Sequence, residues 1–324
     1  MTTLVTGATG LVGNNVVRLL LERGEAVRVL ARETSDSRPL EGLDVEVARG
    51  DVRDGDSVRE AAEGIDRVVH SAAVIHIGWT GLKTQREVNV EGTRNVAIAA
   101  TAAGAKMVHV SSVDALGVGS RDEPANEYPP FEGKILCTYV ITKREAEAVL
   151  LEQVERGLDA TIVNPGLMFG PWDWKPSSGR MMLEVARRFT PLAPKGGCTV
   201  CDVRDVAAGI VSALDSGQTG RRYILGGSHL TYFDMWKLFA TVSRGKAPIG
   251  RAGPLMRIAA GCFGDAITMI TGREPDVNSA AIGMSNLYHY YSSARAEQEL
   301  GYTTRDLEGT VKDAWAWFQA NGYA

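Results

Sequence analysis

Val5-Thr6-Gly7-Ala8-Thr9-Gly10-Leu11-Val12-Gly13 decides how the rest of this chain is read. A β-type run, Thr2-Thr3-Leu4-Val5, precedes it. Asn14 to Arg23 follows with apolar residues at helical spacing and is closed by Gly24. Strand, glycine turn and helix in that order suit a diphosphate. Glycine permits tight dihedrals and close backbone approach, and a helix N-terminus offers unpaired N–H groups to phosphate. The spacing is GxxGxxG, not the GxGxxG of the usual dehydrogenase fingerprint. By itself such a stretch serves equally well as a plain structural turn, so the remainder of the chain must choose.

Strand-like runs alternate with helical ones through the first half: Ala26 to Ala31, Val45 to Ala48 running into Gly50-Asp51-Val52, Arg67 to Ala73, and Lys106 to Ser112. A long helix is expected from Leu82 to Ala103 and another from about Tyr139 to Arg156, feeding Ala160 to Asn164. This alternation predicts an α/β fold with a doubly wound parallel sheet. Beyond Pro165 it loosens: Pro171 to Arg180 reads as a loop, Arg180 to Phe189 as a basic helix, Val203 to Leu214 as a helix and Arg222 to Leu225 as a late strand. We therefore expect a dinucleotide-binding domain from 1–165 plus about 202–228. A smaller interleaved substrate lobe would come from about 166–201 and 229–324.

A chain of 324 residues can bury a large core, and an apolar fraction of 44% with 23% charged residues suits a soluble globular protein. A net charge of −4 without a basic block argues against nucleic acid as a partner. The first strand starts almost at residue 1, which leaves no room for a signal peptide and predicts a cytoplasmic protein. No apolar run is long enough to span a bilayer. The nearest, Pro254 to Ile270, contains Arg257 and Asp265 and reads as an amphipathic helix over a binding site, in preference to a peripheral membrane contact. Four cysteines suit a reducing compartment. Cys198-Thr199-Val200-Cys201 has CxxC spacing, but no second pair completes a zinc site, and in an extended segment the two thiols point to opposite faces. The five histidines lack ligand spacing, so no metal is expected.

Tyr139-Val140-Ile141-Thr142-Lys143 carries the chemistry. On a helix, i and i+4 share a face, which puts the ammonium beside the phenol. A free tyrosine titrates near 10, and a neighbouring lysine cation is expected to bring it towards the working range. Hydride transfer to or from a carbonyl needs such a proton partner. Ser111-Ser112 ends a central strand, where ligands of these sheets bind, and one hydroxyl there can hydrogen-bond the substrate oxygen.

Here the chain resembles the extended short-chain dehydrogenases/reductases, which include nucleotide-sugar epimerases and dehydratases, dihydroflavonol reductases and 3β-hydroxysteroid dehydrogenases. The resemblance runs through Thr6-Gly7-x-x-Gly10-x-x-Gly13, Gly50-Asp51-Val52, Asn89 to Asn95, Ser111-Ser112, Tyr139-x-x-x-Lys143 and Asn164-Pro165-Gly166-x-x-Phe169-Gly170-Pro171. It continues late in the chain in Asp202 to Ala207 and Ser293 to Tyr302. It implies Tyr139 as acid/base, Lys143 on the nicotinamide ribose and Ser112 on the substrate carbonyl. It also implies cofactor contacts from Thr6, Gly7, Thr9, Gly10, Leu11, Val12, Gly13, Asp51, Val52, Ser71, Ala72, Ala73, Ser111, Pro165, Gly166 and Leu167. Asn89 is expected to tie helix to strand. A homodimer through the two long helices is a further expectation.

Departures from the family pattern narrow the reading. Where an NAD site places an acid, this chain has Arg32, suited to a 2′-phosphate; we expect NADP(H), with NAD(H) the alternative. Sugar dehydratases carry an Asp-Glu pair after the catalytic hydroxyl. Val113 and Asp114 stand there, and valine cannot protonate a leaving group. His76, Asp114, Met168, Trp172 and Met181 are the expected substrate-pocket residues, a lining that favours an apolar or aromatic ketone. The leading expectation is an NADPH-dependent ketone or aldehyde reductase acting on a small carbonyl or alcohol. A 3β-hydroxysteroid-type dehydrogenase, a nucleotide-sugar epimerase holding NAD, and a non-catalytic NADP sensor are the alternatives.

Overall fold

The computed structural model describes residues 1–324. Thr2–Thr6 (β1), Ala26–Ala31 (β2), Glu46–Arg49 (β3), Arg67–His70 (β4), Lys106–Val110 (β5) and Ala160–Pro165 (β6) form a parallel sheet with the late strand Arg222–Leu225. The spatial order is Arg222–Leu225, β6, β5, β4, β1, β2, β3, seven strands in all. Strand order reverses between β1 and β4, which opens a crevice at their carboxyl ends, beside Gly7 and Ser71.

Side chains of successive strand residues leave opposite faces, so each strand feeds two cores. On one face Val5, Val29, Val69 and Val108 pack against Val16, Val17 and Leu20 of the helix Leu11–Glu22, and against Val206 and Ile210 of Val203–Ser216. On the other, Leu4, Val68, Met107 and Ile162 meet Val58, Val96, Ala100 and Leu150. The helix expected over 82–103 is continuous, but its middle, Arg86–Glu91, is π-helical. Its extra residue per turn turns Asn89 inward, where it clasps Val74 through both amide atoms (2.8 and 3.0 Å).

After β6 the chain builds a second layer around the short sheet strand Gly197–Asp202, which pairs with Leu167–Phe169, Ser228–Thr231 and Tyr288–His289. Its core holds Phe169, Met182, Phe239, Val311 and Phe318. Cys198 joins this core and Cys201 the first one, on opposite sides of the strand as its pleat requires, and both are free thiols. The C-terminal stretch re-enters the main core through Ala296, Leu300 and Tyr302. No helix is long and apolar enough to cross a membrane. The helix Pro254–Thr271 sits the opposite way round from expectation: Gly261 and Gly264 face inward and its large apolar residues face solvent.

Candidate active site

The glycine turn divides its three glycines between two tasks. Gly7 has φ +73°, and a Cβ there would stand 2.6 Å from Ala72 N; one on Gly13 would stand 2.4 Å from Gly7 O. These two glycines let the helix Leu11–Glu22 rest on the ends of β1 and β4. At Gly10 the nearest atom to an added Cβ is 3.3 Å away, and this residue leaves the outer surface of the turn open. Gly10 N donates to Gly7 O and Asn14 N to Gly10 O, while the amides of Leu11, Val12 and Gly13 have no backbone acceptor. Thr9, Gly10, Leu11 and Val12 form the half-exposed rim. Three free N–H groups at a helix N-terminus, with no side chain over them, fit a dinucleotide diphosphate.

Two residues expected at the cofactor are engaged elsewhere. Thr6 is fully buried, and its hydroxyl lies 2.7 Å from His70 Nδ1; Ser71 Oγ donates to Thr6 O at 2.7 Å. Both side chains stitch β1 to β4, because two parallel strands at a switch point leave unpaired groups at their ends. Ala72 and Ala73 continue from β4 as half-exposed backbone. At the far end of the crevice Arg32 is exposed and makes no ion pair. Arg53 grips Asp51 with Nε and a terminal nitrogen (3.0 and 2.7 Å), which holds that carboxyl below its usual range, with Arg32 adding to the effect. Val52 is buried, and its carbonyl accepts from Asn95 Nδ2 at 2.9 Å.

The helix Thr138–Glu155 carries the reacting groups. Thr138 and Thr142 anchor it to Gln85 (2.5 Å) and Asn89 (3.1 Å) of the 82–103 helix. Tyr139 and Lys143 are both buried, 7% and 3% exposed, so neither is an ordinary surface residue. Lys143 Nζ donates to Val110 O (3.0 Å) and lies 6.0 Å from the centre of the Tyr139 ring. The Ser112 hydroxyl accepts from Asp114 N at 3.1 Å and acts on the phenol from the end of β5. Burial pushes the phenol well above its ordinary value, the Asp114 charge adds to this, and Ser112 only partly opposes it. The expectation that Lys143 lowers the phenol is corrected: at this separation burial wins. Burial also pulls Lys143 down to about 8, against the pull of the Glu147 carboxylate.

Ser111, expected on the cofactor, faces the opposite way. Its hydroxyl donates to Glu147 Oε1 (2.5 Å), as does Asn164 Nδ2 (2.8 Å), while Arg222 Nε pairs with Oε2 (2.7 Å). Glu147 thus joins β5, β6 and the late strand beneath Lys143. Sequence reading also missed the partners of Asp114. Lys134 Nζ lies 2.7 Å from Asp114 Oδ1 and 2.6 Å from His289 Nδ1, and His289 Nε2 is 2.9 Å from Met284 O. Burial, followed by the Lys134 charge, pulls His289 down to about 4, so it is neutral and accepts from the ammonium. Asp114 is itself driven up by burial, but the Lys134 ammonium bonded to it outweighs this and holds the carboxyl below its usual range.

The expected pocket residues scatter. His76 Nε2 pairs with Glu274 Oε2 (2.8 Å), and Glu274 also accepts from the amides of Trp79 (2.9 Å) and Thr80 (2.9 Å) and from Thr80 Oγ1 (2.6 Å). His76 therefore belongs to a clamp between the 74–81 loop and residue 274. Trp172 adopts φ +70°, lies under Arg18 (3.3 Å from ring centre to guanidinium carbon) and packs against Trp317, so it joins the layers and does not face Tyr139. Met181 packs in the second layer and Met168 against the first core. Gly166 N donates to Leu225 O (3.1 Å), and a Cβ there would stand 2.6 Å from Thr199 O, so Pro165-Gly166-Leu167 turns tightly between the layers. The apolar residues that cluster with Tyr139 are instead Ile77, Ile135, Cys137, Ala280, Met284 and Leu287, with Ser112 and Asp114 as its polar neighbours.

Residues 3–226 match the model of the NAD dependent epimerase/dehydratase family. Sterol demethylase protein B of Methylococcus capsulatus is 37% identical, with 99% of each chain covered. A putative dihydroflavonol 4-reductase of Synechocystis is 35% identical over 98% of this chain and 95% of its own. The crystal structure of gox2253 superposes with a TM-score of 0.87 at 37% identity, covering 99% of both chains. With the crevice at the strand-order reversal, the open glycine turn and the serine, tyrosine and lysine beside it, the chain belongs to the NAD dependent epimerase/dehydratase family, within the extended short-chain dehydrogenases/reductases, whose members are oxidoreductases and epimerases.

Proposed function

We propose that this enzyme reduces a ketone or aldehyde with an apolar or aromatic body, using NADPH. The observation that carries the reading is the buried Tyr139 phenol, one helical turn from Lys143 and clustered with the apolar side chains of Ile77, Ile135, Ala280 and Met284. A phenol held there is the proton donor that reduction of a carbonyl requires. The bound dinucleotide supplies the hydride. Ser112 donates a hydrogen bond to the substrate oxygen, Tyr139 delivers the proton to that oxygen, and the Lys143 ammonium, fixed by Val110 O, holds the ribose side of the site. The apolar side chains clustered with Tyr139, those of Ile77, Ile135, Ala280 and Met284, favour an apolar substrate body over a sugar diphosphate. Relatives named for sterol demethylation, dihydroflavonol reduction and 3-beta-hydroxysteroid dehydrogenation support an apolar substrate.

NADPH oxidation across a panel of aryl ketones, aliphatic aldehydes, β-keto acids and steroids tests this reading. Stoichiometric consumption with an apolar carbonyl is expected. Isomerisation of a UDP-sugar without net NADPH loss overturns it in favour of an epimerase. For the cofactor, Arg32→Ala should raise KM for NADPH roughly 10–100-fold and leave that for NADH within about twofold, since a charge-assisted bidentate contact to phosphate is lost only with the former. Equal effects on both cofactors remove the NADP assignment.

A further inference from the structure

The helix Pro254–Thr271 is fixed to the molecule by its smallest and most polar face. A Cβ on Gly264 would stand 1.9 Å from Val277 O and one on Gly261 3.2 Å from Ser279 Cα, so the helix lies backbone against backbone. From the same side Arg257 reaches Asn286, and Asp265 accepts the Ser279 amide at 3.0 Å. The opposite face carries Leu255, Met256, Ile258, Phe263, Met269 and Ile270, which are between 54% and 84% exposed. At 3.6 residues per turn these six lie on one arc without a charge among them, along a helix roughly 27 Å long. Soluble monomers rarely show an apolar stripe of this length to water.

Between residues 244 and 278 the chain carries five cations and three acids, although as a whole it is at −4. Arg251 and Arg273, just outside the two ends of the helix, are exposed and make no ion pair. The three acids between residues 244 and 278 are all engaged: Asp265 with Ser279, Glu274 in the loop clamp, and Asp276 with Arg180 at 3.0 Å. We propose that this face docks on an anionic lipid bilayer. The helix lies in the interface plane, its apolar arc reaches the acyl boundary, and Arg251 and Arg273 at its two ends meet lipid phosphates. The helix cannot cross the bilayer. A second copy is the poorer occupant, because self-pairing of a segment with five cations and three acids brings net positive charge together. The neighbouring helix Ser279–Ser285 walls Tyr139 with Ala280 and Met284, which places the catalytic pocket one helix below the lipid surface. The docking surface stands whichever carbonyl the enzyme reduces.

Flotation of the full chain with vesicles of phosphatidylcholine, with and without phosphatidylglycerol, tests the proposal. Binding is expected only with the anionic lipid. It should weaken at least about tenfold in the double variant Phe263→Glu/Ile270→Glu and about fivefold in Arg251→Gln/Arg273→Gln. Both pairs are solvent-facing and remote from Tyr139, and unchanged NADPH fluorescence quenching confirms that the variants are folded. Undiminished binding of the Phe263→Glu/Ile270→Glu variant, or no binding to either vesicle, overturns the proposal. So does light scattering that shows a wild-type dimer which these substitutions convert to a monomer.

Discussion

Tyr139→Phe should lower kcat for carbonyl reduction about 10³-fold while NADPH binding stays within roughly a factor of two. The ring keeps its contacts with Cys137, Val140, Ala280 and Met284, so the pocket wall survives, and only the proton donor is lost. Ser112 Oγ keeps its bond from Asp114 N, so removing the phenol oxygen leaves no buried group stranded. Turnover and a fluorescence titration of NADPH separate the two effects; retention of a tenth of the activity would sink the role given to Tyr139. The same site fixes the pH profile. Lys143 is lowered to about 8, so its cation is present below that pH and lost above it. Tyr139, raised well above 10, stays protonated throughout. The reductive kcat/KM should therefore be flat from neutrality to about pH 8 and fall beyond it, on the lysine alone.

Glu147→Gln is expected to cost about 3 kcal/mol of folding stability, lowering the melting midpoint by roughly 5–10 °C. Glu147 is 3% exposed and holds Arg222, Ser111 and Asn164 together, and the amide cannot accept all three contacts or balance the guanidinium. Arg222 retains some solvent, which keeps the cost near the low end for a broken buried pair. A second consequence separates this variant from a merely unstable one. The carboxylate raises Lys143, so without it the lysine titrates lower and the alkaline fall in kcat/KM begins below pH 8. Calorimetry and a pH–rate profile on the same preparation measure both; an unmoved alkaline limb would show that Glu147 does not act through Lys143.

Local pattern carried the reading wherever a residue's task is set by its immediate neighbours. The glycine turn, the Tyr139–Lys143 spacing and the strand-ending Ser112 are such cases, and so is the parallel sheet, whose two buried faces leave near-continuous apolar runs. What failed was long-range partnership. Thr6, Ser71 and Ser111 have the right residue types for a cofactor edge, yet their hydroxyls meet the His70 imidazole, the Thr6 carbonyl and the Glu147 carboxylate, partners distant in sequence. Lys134 and His289 are 155 positions apart and carry no motif, so only the fold reveals their meeting at Asp114. Trp172 and His76 looked like pocket lining because aromatic and imidazole groups suit ligands. They suit inter-layer packing equally well. Pro254–Thr271 has helical periodicity, and periodicity does not say which face turns inward; two glycines decided it.

The Glu274 clamp has a temporal side. Its bonds to Trp79 and Thr80 close a loop of more than half the chain, at separations of 195 and 194 residues. Contacts at such separation form after the local sheet and helix pairings, since the closure entropy is met only once the intervening elements are in place. The 74–81 loop is therefore expected to settle late during refolding, and pulse-labelling of the Trp79 and Thr80 amides, which gain their acceptor only when Glu274 closes on them, measures that delay.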